Sequence, residues 1–173
     1  AIEWARNLCL SDKFKNHVVI YMTHSYMKCS GFCDNALIQR ENYPLTKKEG
    51  NNSGQQIWEK LVSQVPNLRL VLCGHHAHGA DKDGNDKYEG SIGWRADKNN
   101  AGETVYQMLY DTQTLGGGWE GNGGDGWIRI LEFMPDGKTV KVRTYSPLFG
   151  ISPVTKHLAS RTGDLDQFEF VID

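Results

Sequence analysis

Two short apolar runs, Val18-Val19-Ile20-Tyr21-Met22 and Leu70-Val71-Leu72-Cys73, constrain this chain more than any other feature. Runs of this length, rich in β-branched and aliphatic residues, read as buried strands. A helix lies between them. Ser53, with Gln56 three residues on, forms a capping-box pattern, and Ile57, Trp58, Leu61, Val62 and Val65 make one apolar face. Pro66 stops that helix, and the second strand spans Leu68 to Cys73. A helical crossover joins parallel strands, so both runs are expected to point the same way in one sheet. The segments just past their C-terminal ends then emerge on one edge, where open α/β sheets bind ligands.

Histidines stand at both ends. His24 comes directly after the first run and Thr23, and Gly74-His75-His76-Ala77-His78-Gly79 comes after the second. Three of the six histidines therefore fall within four positions. Neutral imidazole is the commonest metal ligand, and Gly74 permits a tight turn where the rings must converge. Histidines alone suit a single Zn with water in an open position. A dinuclear hydrolytic centre also needs carboxylates, one of them bridging metals about 3.5–4 Å apart. His17 and His157 lack such a setting and read as ordinary surface or core residues.

Elsewhere the pattern is mixed. An opening helix ends near Leu10. The polar stretches from Ser25 to Asn52 and from Asp81 to Gly102 read as long loops. Thr104 to Tyr110 reads as a strand, with a Gly-rich segment from Gly116 to Gly126 after it. Trp127 to Phe133 and Thr139 to Tyr145 form a hairpin across Pro135-Asp136-Gly137, and Phe168, Phe170 and Ile172 alternate as a last strand. The fold class is α/β: a mixed sheet with a parallel βαβ unit followed by antiparallel strands. At 173 residues the chain suits one domain. A net charge of -2 gives no footing for nucleic acid or an anionic membrane, and no apolar run reaches membrane-spanning length.

Several other patterns are weaker. Gly116-Gly117-Gly118-Trp119-Glu120-Gly121 satisfies G-x-G-x-x-G, but a strand comes next where a dinucleotide site needs a helix N-terminus. Asp81 to Asp86 resembles a Ca loop yet has Asp86 at the sixth position and Ile92 at the twelfth, where Gly and Glu belong. Cys9 and Cys73 sit in apolar surroundings as small hydrophobes, and Cys73 at a strand end is expected to be an inert thiol. Cys29 and Cys33 flank Ser30-Gly31-Phe32, a spacing open to a local disulfide.

Thr23-His24-Ser25-Tyr26, then a helix, then Leu70-Val71-Leu72-Cys73-Gly74-His75 resembles the calcineurin-like metallophosphoesterases. Those enzymes carry a His after a strand and later a Gly-His-x-His motif. Asp111-Thr112-Gln113, the run Asn122 to Arg129 and Arg143-Thr144-Tyr145-Ser146-Pro147 are similar to the C-terminal part of bacterial members, so the likeness extends from Trp4 to Pro147. It implies part of an α/β/β/α sandwich, a phosphoester substrate, and hydrolysis at two divalent metals (Mn, Fe or Zn). It also implies that His24 and His75 hold one metal and the last His of the motif the other. Gly74-His75-His76-Ala77-His78 has one residue more than that motif. His78 is the second-metal choice, with His76 as an alternative ligand or a contact to substrate.

No Asp-x-His, Gly-Asp-x-x-Asp or Gly-Asn-His occurs in the 173 residues. The resemblance assigns the bridging Asp and the general acid to those motifs, so residues 1–173 are expected to be the C-terminal portion of such a domain. Little metal occupancy and little turnover are expected of the chain alone, and an exposed sheet edge would invite a homodimer. An exported or periplasmic location is compatible with this reading. Trp94, Trp119 and Trp127, beside the Gly-rich loop, are candidates for a substrate mouth or for packing. Two other functions compete: a non-catalytic site for a single Zn, and a carbohydrate-binding module built on exposed tryptophans.

Overall fold

The computed structural model describes residues 1–29, 31–40, 51–76, 90–116 and 123–172. Its described residues form two compact units: 1–29, 35–40, 51–76 and 93–109 in one, and 31–34, 90–92, 110–116 and 123–172 in the other. The architecture is mixed α/β, with parallel and antiparallel pairing.

The first unit begins with α1 (Ile2–Leu10) and β1 (Val19–Thr23). After α2 (Gly54–Lys60), β5 (Leu68–Cys73) enters a sheet that runs β1-β5-β7-β6, with β6 at Ser91–Lys98 and β7 at Thr104–Asp111. β1 pairs with β5 in parallel up to Thr23 opposite Cys73, and β5 pairs with β7 in parallel up to Cys73 opposite Leu109. Only residues 99–103 join β6 to β7, too few for a crossover, so that pair is a hairpin. Leu70, Val71, Val105 and Leu109 are fully buried, as central parallel strands require. Each such side chain contributes about 1.5–3 kcal/mol.

α2 starts where the sequence places it. Ser53 Oγ accepts from the Gln56 N–H at 3.3 Å, and Gln56 Oε1 accepts from the Ser53 N–H at 3.0 Å. The α-helix ends at Lys60 and tightens to a 3-10 turn over Val62–Gln64, and Leu61, Val62 and Val65 are buried. Gly54 has a second role, because a Cβ there would overlap the Tyr26 carbonyl oxygen.

Two stretches expected to be loops contain strands. Ser25 to Asn52 holds β2 (Met27–Lys28), β3 (Gly31–Asp34) and β4 (Leu37–Ile38), with β2 and β4 antiparallel. The strands are two to four residues long, too short for a periodic signal, yet Tyr26 and Met27 are wholly buried. β6 lies inside the stretch from Asp81 to Gly102. Its buried Gly93 hides the pattern: a Cβ there would stand 2.7 Å from the Ala36 Cβ, so composition reads as loop where packing demands a bare backbone. Buried Gln107 ties this hairpin inward. It accepts from Tyr26 Oη at 2.7 Å and donates to Asp97, which Arg95 grips through Nε and Nη2. The Arg95 guanidinium holds the Asp97 carboxyl below its ordinary range.

Among the described residues β1 is the outer strand of its sheet, with Ile20 and Met22 exposed along it and Val18 exposed just before it; α1 buries none of its residues. No helix among the described residues is long and apolar enough to cross a membrane.

The second unit carries an antiparallel sheet ordered β10-β9-β11, with β8 also paired to β9. Its strands are β8 (Ile128–Phe133), β9 (Thr139–Tyr145), β10 (Ser160–Arg161) and β11 (Phe168–Val171), and α3 (Pro147–Gly150) comes after β9. The β8–β9 hairpin closes at Pro135-Asp136-Gly137 as the sequence predicts. Asp136 Oδ1 accepts from the Lys138 and Thr139 N–H groups, and Oδ2 accepts from Thr139 Oγ1 at 2.6 Å.

Gly54→Ala tests the crowding at the start of α2. Helix propensity alone favours Ala by about 1 kcal/mol, but the overlap with Tyr26 reverses the sign and costs about 1–3 kcal/mol in denaturant melts. The hairpin turn gives a pH test. Hydrogen bonds from Thr139 and Lys138 lower the Asp136 pKa from 3.8 to about 2. Its contribution is thus fully present above about pH 4 and lost as pH falls through about 2. Asp136→Asn should flatten that segment of the acid-denaturation curve.

Candidate functional site

The parallel register fixes which residues meet at the sheet edge. Thr23 and Cys73 are the last register partners, and just beyond them the Gly74 N–H donates to the His24 carbonyl at 3.2 Å. That link holds the two strand-end loops together. The His24 and His75 rings then lie with centroids 4.2 Å apart and planes at 41°. His24 is exposed and His75 half-buried.

His75 adopts a costly backbone. Its φ is +67°, and the His76 N–H donates to the Gly74 carbonyl at 2.8 Å, closing a γ-turn with His75 at its centre. This turn at positive φ is rare and strained for a residue with a side chain. The turn swings the His75 ring toward His24 and sends the chain on to His76.

His76 is held differently. The Cys29 N–H donates to His76 Nδ1 at 3.3 Å. A neutral imidazole has one nitrogen lone pair, and here that lone pair is the acceptor. The remaining nitrogen, Nε2, carries the proton and is a donor, whereas a metal ligand must offer its lone pair to the metal and donate from its other nitrogen. In this arrangement His76 serves as a hydrogen-bond donor. Cys29 and Cys33 are both disulfide-bonded, and Cys9 and Cys73 are free. Burial pushes the Cys73 thiol up to about 12, in keeping with its reading as an inert residue.

The structure thus brings the His24 and His75 rings together, while the His76 ring is held by the Cys29 N–H. His78 and Trp119 lie outside the described residues, as does the stretch from Asp81 to Asp86. Among the described residues, no three His, Cys, Asp or Glu side chains are grouped to hold a metal ion. His24 and His75 fit part of one metal's shell, and they do not by themselves fit a dinuclear centre. Trp94 and Trp127, both described, are packed against other rings. Trp94 stacks on Tyr106 at 5.4 Å, and Trp127 meets Phe149 edge-on at 5.6 Å. Sequence reasoning missed the Cys29 N–H as an anchor for His76. A main-chain donor on a short strand connection leaves no signature in residue types.

No protein-family model and no solved structure matches this chain. It is 30% identical over 138 residues to a Bacillus subtilis (strain 168) relative that bears the name uncharacterized protein YvnB. The match covers 80% of this chain but 10% of the relative, so the chain spans about a tenth of that protein's length.

The γ-turn predicts an order of stabilities at one position. His75→Gly should exceed His75→Ala by about 1–2 kcal/mol in thermal or urea melts, because only Gly adopts this φ without strain. Equal stabilities would remove the strain from the account.

Proposed function

We propose that this chain is the C-terminal part of a metal-dependent phosphoesterase of the calcineurin-like kind, within a longer polypeptide. The observation that carries the reading is the convergence of His24 and His75 at the C-terminal ends of two parallel strands. Such strand ends are where α/β sheets place ligands, and two adjacent imidazoles are the start of a metal shell. Further support comes from the backbone strain at His75, since strain of this kind clusters at functional positions.

In this reading His24 and His75 hold one metal and His78 the other, with carboxylates supplied from the longer protein. A bound metal pair would supply an activated water and neutralise phosphoryl charge. In the same reading His76, whose Nδ1 accepts from the Cys29 N–H, would serve as a donor to a substrate oxyanion instead of as a ligand. The disulfide bonding of Cys29 and Cys33 supports an exported or periplasmic setting, where such bonds persist.

The test is hydrolysis of a generic phosphodiester by the longer polypeptide loaded with Mn, Fe or Zn. His24→Ala should lower turnover on the order of 100-fold or more, as expected for loss of a metal-site residue. The 173-residue chain alone should show little or no turnover. A metal-loaded parent without hydrolysis, or one indifferent to His24→Ala, would sink the proposal.

A further inference from the structure

The second sheet contains a notch. On one side of β9, β10 pairs Arg161 with Thr144, and β11 pairs Phe168 with Val142. The two ladders stop on either side of Arg143, and a hollow of about 280 Å³ opens there. Arg143, Thr144, Tyr145, Ser160, Arg161 and Gln167 line it together with Ile130, so polar groups punctuate a lining that is mostly apolar. Among the described residues, no carboxylate lines it.

Arg161 is braced by its neighbours. Asp166 Oδ2 stands 3.3 Å from Arg161 Nε, and the Arg161 guanidinium lies against the Phe32 and Trp127 rings at 5.1 and 5.5 Å. Arg143 pairs with Glu132 at 3.2 Å, but both side chains are about half exposed, so this pair is weak and readily exchanged. Tyr145 is also positioned. A Cβ at residue 150 would overlap its hydroxyl, so Gly150 in α3 is what lets that ring take its place.

We propose that this notch is a binding site for a small polyhydroxylated oxyanion, a sugar-sized carboxylate or phosphate ester. A planar guanidinium fork at Arg143 matches an oxyanion, while hydroxyl and amide groups match ring hydroxyls. The volume lies near the lower end of ligand pockets, enough for one sugar ring. The site uses neither the clustered histidines nor a metal, so it stands or falls apart from the phosphoesterase reading.

The experiment is amide-resolved NMR titration of the 173-residue chain, with EDTA present, using glucuronate, glucose 6-phosphate, glucose and inorganic phosphate in turn. Saturable shifts at Ser160, Gln167 and Arg143 are expected with glucuronate or glucose 6-phosphate, and which of the two binds identifies the oxyanion. Arg143→Ala, at an exposed position, should weaken that binding by about tenfold or more, and Glu132→Gln should not weaken it. Saturation by glucose with equal affinity would remove the oxyanion from the proposal, and phosphate binding as tightly as the sugar phosphate would remove the sugar. No saturable shift at these residues with any probe would overturn it entirely; because this arm uses the unaltered chain, misfolding of a variant does not blur the outcome.

Discussion

The parallel pairing of β1 with β5 is the constraint on which the candidate site depends. Side chains at the ends of two strands meet only if the strands point the same way and stop at the same level. The register places Thr23 opposite Cys73, and the next residues are His24 and Gly74. A slip of two residues would separate the imidazoles by about 6–7 Å along the strands, enough to dissolve the pair. The capped helix α2 and the buried residues of β5 are therefore part of the site, although none of them touches a ligand.

Polar groups then refine what the register begins. The Gly74 N–H on the His24 carbonyl holds the two loops, the γ-turn aims His75, and the Cys29 N–H selects the tautomer of His76. The two hydrogen bonds are worth about 1 kcal/mol each, whereas the turn at His75 costs strain. Together they set the three neighbouring histidines apart: the His24 and His75 rings face each other, and His76 Nδ1 accepts from the Cys29 N–H. Sequence spacing treats the three as equivalent, and only hydrogen bonding separates them.

The legible parts of the fold were those with long-range periodicity or strong punctuation. The βαβ unit emerged from two apolar runs and a capping box, and the β8–β9 hairpin from Pro135-Asp136-Gly137. β6 was illegible because Gly93 and the charged pair Arg95 and Asp97 imitate a solvated loop, whereas Gln107 and Ala36 pair with those same groups in the structure. β2, β3 and β4 were illegible because strands of two to four residues take their stability from buried Tyr26 and Met27, not from their own pattern. At the site, the meeting of His24 with His75 could be deduced from topology. The donor role of His76 could not, since it depends on a backbone N–H forty-seven residues away in sequence.

The central claim is that His24 and His75 act as a pair through their lone pairs while His76 acts through its proton. Imidazole ¹⁵N NMR of the chain during titration with Zn tests it directly. The account predicts that the His24 and His75 nitrogens shift together along one binding curve, while His76 Nδ1 keeps the signature of a hydrogen-bond acceptor. Zn shifting His76 and leaving His24 unmoved would contradict it.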